Sequence, residues 1–185
     1  MDKIAVFCGS KMGSDPELVN YTEQFAEVLA KENIELVYGG AQSGLMGVLA
    51  DKVLEKAGRV TGVMPVLLEG KERVHSGLTQ LIEVEDMQTR KQTMLSLCDG
   101  VVALPGGTGT LDELFEVLSL SQIGSHYKPC GVLNMQGYFD GLISFIKHMR
   151  DSGFLHPDYF DMLIVENDPE LLLQKMKTFS HPHHQ

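Results

Sequence analysis

The sequence predicts a three-layer α/β sandwich, with a mainly parallel sheet of seven strands and helices on both faces. Three observations predict it. Short β-rich apolar runs alternate with helical patterns along all 185 residues. Strands that alternate with helices need crossover connections, and crossovers leave neighbouring strands parallel. The runs are continuously apolar instead of alternating, as strands covered on both faces are.

Each element has its own signal. IAVFC (4–8) is the first buried strand. Ser14 or Asp15 is placed to cap a helix with Pro16 in its first position, and Leu18, Tyr21, Phe25, Val28 and Leu29 recur at helical spacing. ELVYGG (35–40) is the second strand, and a helix over 45–56 stops at Gly58. VTGVMP (60–65) is the third strand, followed by a polar loop to about Gly77. LIEVED (81–86) is a shorter strand with an exposed, acidic end. A helix over 87–97 leads into GVVALPG (100–106), the most apolar strand, and a helix over 110–120. CGVLNM (130–135), a helix over 138–149, MLIVEN (162–167) and a helix over 169–177 complete the alternation. There is no internal repeat and no linker, so residues 1–178 read as one nucleotide-binding-type domain and 179–185 as a solvated tail.

Composition narrows the function classes. A formal charge of −10 disfavours nucleic acid and membrane surfaces as partners, because a phosphate polymer would be repelled. A small phosphorylated ligand held by local amides and an arginine stays compatible with it. Cys8, Cys98 and Cys130 lack metal-site or redox spacing and lie in or beside core elements, which predicts buried, reduced thiols. The start shows no basic region followed by a long apolar one, and no run approaches the ~18 apolar residues of a membrane span. A cytoplasmic location is the expectation. The histidines show no ligand spacing, and the tail's His181, His183 and His184 lie beyond the last helix, so no metal and no cofactor is expected.

Ligands of open α/β sheets bind outside the carboxyl ends of the strands. Three turns there are rich in glycine: CGSKMGSD after the first strand, YGGAQSGLMG after the second and PGGTGTLDE after the fifth. The P-loop pattern is absent, since Gly70-Lys71 is followed by Glu72, and the first turn lacks G-x-G-x-x-G. In the third turn Gly106, Gly107 and Gly109 leave backbone N–H groups leading into a helix, with hydroxyls on Thr108 and Thr110. Such an end seats a phosphate monoester. Ser10 could add a hydroxyl, while Gly40, Gly44 and Met46 belong to the second turn. Asp112 and Glu113 are expected in the first turn of the helix after the glycines. Asp112 is equally read as a complement to the helix dipole. Arg90 and Lys91 precede the same strand, so a cation, a phosphate seat and a carboxylate converge on one edge.

MQTRK (87–91) followed by PGGTGTLDE (105–113) resembles the LOG (Lonely guy) family of cytokinin-activating phosphoribohydrolases, also labelled "lysine decarboxylase family". The pattern P-G-G-x-G-T-x-x-E is met at Pro105, Gly106, Gly107, Gly109, Thr110 and Glu113. VFCGS, YGG…GLMG, GVMP and KPCGVLNMQGYFDGL extend the resemblance over nearly the whole chain. Decarboxylation finds no support, because no lysine is placed for a pyridoxal Schiff base. The resemblance implies a Rossmann-like fold, a homodimer, and hydrolysis of a nucleoside 5′-monophosphate to free base and ribose 5-phosphate. It makes Arg90 and Glu113 the catalytic pair and places Glu72, Lys91 and the stretch 107–113 against substrate. Thr108 stands where plant members usually have Tyr, and GGAQSGLMG is less glycine-rich than usual, which leaves the preferred base open. A non-catalytic nucleotide or molybdenum-cofactor carrier is the alternative for this fold. A carrier would not need Arg90 and Glu113 together.

Overall fold

The strand at the middle of the sheet is the first one, β1 (Lys3–Phe7), and its residues alternate between two cores. Ile4 and Val6 point into one, Ala5 and Phe7 into the other, and all are buried. That two-sided burial is why the run carries no polar alternation. The computed structural model describes residues 1–66 and 73–182.

From β1 the chain steps outward in one direction. It runs through α1 (Glu17–Lys31), β2 (Glu35–Tyr38), α2 (Gly44–Glu55), β3 (Val60–Pro65) and β4 (Gln80–Val84). It then returns through α3 (Met87–Leu97) to β5 (Gly100–Ala103) on the other flank of β1. From there α4 (Thr108–Gln122), β6 (Cys130–Leu133), α5 (Asp140–Asp151), α6 (Pro157–Phe160), β7 (Leu163–Glu166) and α7 (Pro169–Lys177) follow. The sheet order is β4-β3-β2-β1-β5-β6-β7, and every pairing is parallel. This is the α/β, Rossmann-like three-layer sandwich that the sequence predicts. Phe25, Leu29, Leu49, Val53, Leu172 and Met176 of α1, α2 and α7 fill the core on one face. Met94 of α3 and Leu114, Val117 and Leu118 of α4 fill the other, with Phe139 just before α5.

Several boundaries differ from expectation for local reasons. Pro16 is the cap of α1 instead of its first residue, and Asp15 Oδ1 accepts the Glu17 N–H at 2.9 Å. Glu85 and Asp86 leave β4 because Asp86 caps α3, accepting the Thr89 N–H at 2.7 Å. The expected helix over 138–149 is a 3₁₀ turn, Met135–Gly137, followed by α5. The solvated tail needs a correction at its start: His181 is buried, with Nε2 3.1 Å from Ser121 Oγ and its ring edge-on to Tyr127 at 4.9 Å. Residues 183–185 lie outside the described residues. Cys8, Cys98 and Cys130 are buried free thiols. No helix among the described residues is long and apolar enough to cross a membrane.

Candidate active site

The connections from β1 and β5 leave in opposite directions, so the ends of these neighbouring strands open a crevice. The backbone ties its walls together. The Gly9 N–H donates to the Pro105 carbonyl at 3.0 Å, and the Met46 N–H donates to the Gly9 carbonyl at 3.3 Å. Gly44, at φ +63°, lets α2 approach the Ser10–Lys11 peptide: a Cβ there would lie 2.2 Å from the Ser10 carbonyl carbon. The result is a cavity of about 600 Å³.

One wall is the loop 105–110. Gly107 caps α4 through its backbone alone, and the helix begins at Thr108, two residues before its expected start. The first N–H groups of a helix have no partner inside it, and the helix dipole favours an anion beside them. Gly106 is glycine for packing, since a Cβ would sit 2.1 Å from Thr110 Oγ1. Gly107 and Gly109 are different. Neither has positive φ, and a Cβ on either would meet nothing within 4 Å. Neither turn geometry nor internal packing asks for glycine there, whereas close approach of a ligand to the amides does.

The earlier start of α4 moves Asp112 and Glu113 into its second turn, which corrects their expected place in the first. Both line the cavity. Glu113 is partly buried, and loss of water around it raises its carboxyl pKa to about 7. Arg90 and Lys91 pull that value down, while Asp112 and Glu116 push it up. Cys8, on the cavity floor, is pushed well above the usual thiol range by burial first and by Glu113 second. It is therefore a neutral apolar group here, not a nucleophile.

Arg90 projects from α3 and is 6% exposed. Its Nε donates to the Val63 carbonyl at 3.1 Å and its Nη2 to the Gly39 carbonyl at 2.9 Å. Two fixed acceptors clamp the guanidinium plane while Nη1 leans on Met87 Sδ at 3.7 Å. Lysine has neither the fork nor the reach for this arrangement. The clamp depends on Gly39, because a Cβ there would lie 1.8 Å from Nη2.

Of the expected residues, the cavity brings together Ser10, Met46, Arg90 and Gly106, with Gly107, Thr108, Gly109, Thr110, Asp112 and Glu113. Lys91 is not in its lining: Nζ pairs with Asp112 Oδ2 at 3.0 Å and with Glu116. Gly40 and Gly44 stand behind the wall, both at positive φ, and shape the backbone instead of facing the cavity. Glu72 lies outside the described residues. Sequence reasoning missed Cys8 and Lys11 in the lining and Gly39 behind Arg90, and it missed Tyr138, which reaches the cavity from the turn after β6. The paired glycines 39–40 offered a signal for Gly39. Nothing local to Tyr138 offered one. Among the described residues no cluster of His, Cys, Asp and Glu could hold a metal ion.

Comparison with known proteins gives concordant results. Residues 46–176 match the family described as "Possible lysine decarboxylase". A cytokinin riboside 5′-monophosphate phosphoribohydrolase of Rhodococcoides fascians is 42% identical over 168 residues, covering 90% of this chain and 85% of that protein. One from Arabidopsis thaliana is 37% identical over 177 residues, covering 96% and 78%. Among solved structures, the molybdenum cofactor binding protein of Rippkaea orientalis superposes with a TM-score of 0.71 at 20% identity, covering 96% of each chain. At that identity the likeness is one of fold alone.

Proposed function

Because the chain belongs to this family, the LOG phosphoribohydrolases, we propose that it hydrolyses the N-glycosidic bond of adenosine 5′-monophosphate or an N6-substituted relative. The products are the free base and ribose 5-phosphate. One observation carries the reading: a clamped arginine, a carboxylate with raised pKa and an open helix N-terminus face a single cavity.

Each part then has a task. The 5′-phosphate sits on the amides at the start of α4, with Thr108 and Ser10 hydroxyls beside it. Binding energy from the phosphate, remote from the bond that breaks, holds the sugar in place. As the C1′–N bond lengthens, positive charge grows on the ribose ring. The Glu113 carboxylate stabilises that charge and takes a proton from the attacking water. The water oxygen bonds C1′, and the departing base nitrogen regains a proton. Arg90 orients ribose or phosphate with its planar fork. Apolar Met46 and Met87 are placed to meet the base. Lys91 of α3 acts through Asp112 and Glu116, tying α3 to α4 at the edge of the cavity.

Incubation with adenosine monophosphate and with N6-isopentenyl adenosine monophosphate, followed by chromatography, tests the reaction. Free base from either supports it. Binding without base release is what a carrier would give. We also propose a cytoplasmic homodimer. The three reduced thiols fit that compartment. Met94, Leu114, Val117 and Leu118 of α3 and α4 are buried within one chain and leave no apolar face there for a partner. The dimer is supported by Ile123, Phe145 and Phe154 at the ends and flank of α4 and α5, which are 78%, 55% and 89% exposed.

A further inference from the structure

The turn after β6 holds a non-glycine residue where few sit: Gln136 has φ 50° and ψ 26°. That left-handed conformation is unfavourable for a side-chain-bearing residue and persists only where its surroundings over-determine it. Here they do. The buried Asn134 side chain accepts the Phe139 N–H at 2.7 Å and donates to Asp140 Oδ1 at 2.7 Å. Gln136 Nε2 donates to Tyr21 Oη on α1 at 2.8 Å. Gly137, at φ +70°, has no room for a Cβ beside Asp140.

What the turn delivers is Tyr138. Its ring is half-exposed at the cavity, and its hydroxyl donates to the Gly106 carbonyl at 2.6 Å. A trans peptide points a carbonyl and the following N–H in opposite directions within one plane. Holding the Gly106 carbonyl therefore fixes the direction of the Gly107 N–H, the amide at the cap of α4. Two successive glycines have no side chains to hold that plane, and glycine has the most backbone freedom to lose. The tyrosine hydroxyl supplies the missing restraint from 32 residues away.

We infer that Tyr138 is a positioning residue for the phosphate seat: it holds the Gly106–Gly107 peptide so that its N–H meets the 5′-phosphate. The inference rests on the nucleotide reading of the site proposed above. Tyr138→Phe removes only the hydroxyl, and the half-exposed side chain leaves the Gly106 carbonyl open to water, so the variant folds. Calorimetric titration of wild type and variant with adenosine monophosphate and with adenosine reads the effect, with the melting temperature recorded alongside. The Kd for adenosine monophosphate rises about threefold to tenfold, the loss of one hydrogen bond's worth of order. Adenosine, which has no phosphate, shifts by less than about twofold. The melting temperature stays near the wild-type value, and the KM for base release follows the Kd. An unchanged affinity for adenosine monophosphate, or an equal shift for both ligands, overturns the inference. A wild-type protein that binds adenosine monophosphate without releasing base overturns the hydrolase reading and leaves this one to the titration. One that binds neither ligand overturns both.

Discussion

Glu113 stands under opposing influences: burial lifts its carboxyl pKa to about 7, and Arg90 and Lys91 hold it from rising further. If the ionised form stabilises ribosyl charge, kcat/KM climbs about tenfold per pH unit below pH 7 and levels above it. Glu113→Gln keeps size and hydrogen bonding without the charge. It lowers base release about 100-fold and leaves the Kd for adenosine monophosphate near wild type. A variant with wild-type turnover would remove Glu113 from the mechanism. Stability moves the other way with pH. Between the usual value of 4.5 and about 7, folded chains keep a proton that unfolded chains have lost. Wild-type stability therefore falls as pH rises through that window. Glu113→Gln escapes this loss, so melting curves show it gaining on wild type from about pH 5 to about pH 7 and holding that gain above.

At the scale of elements, the Arg90 clamp joins α3 to the end of β2 and the middle of β3. Gly39→Ala would push a Cβ onto Nη2 and displace the guanidinium from within the sheet edge. Base release falls at least about 100-fold, close to the loss in Arg90→Ala, and the double variant is no worse than either alone. Additive losses would show that Gly39 and Arg90 act separately. This contact also shows where sequence reading stops. The seven strands were legible because β1, β2 and β5 are covered on both faces and so read as unbroken apolar runs. The helix starts at Met87 and Pro169 were legible, whereas the cap Asp86 was read as the acidic end of the preceding strand. The start of α4 was less legible, because Thr108 and Gly109 are weak helix formers and both are exposed, so neither propensity nor apolar spacing marks its first turn. The cavity's glycine loop and its charged residues Arg90, Asp112 and Glu113 were visible in the chain. The Gly39 clamp, the Lys91 pairing with Asp112 and Glu116, and the reach of Tyr138 were not, since each joins residues far apart in sequence through the packing of whole elements.

At the scale of the molecule, a net charge of −10 is set against a cavity whose lining includes Lys11, Arg90 and a helix N-terminus. The field that draws a phosphate is thus local to the site. Light scattering at micromolar concentration should give twice the 20.4 kDa of one chain, and a mass near a single chain ends the homodimer proposal. The central place of β1 has a consequence in time. Its first residues pair with β2 early in the chain, yet Ile4 also pairs with Gly100, 96 positions later. At about 5–20 residues per second, the 64 residues from Leu36 to Gly100 leave some 3–13 seconds between the appearance of one flank's partner and the other's. For that interval the strand that becomes the floor of the cavity is apolar on both faces and closed on only one flank. Non-local pairing of this kind also makes refolding slow. The order in which the ribosome delivers the chain thus leaves the crevice without its second wall until β5 and α4 have emerged.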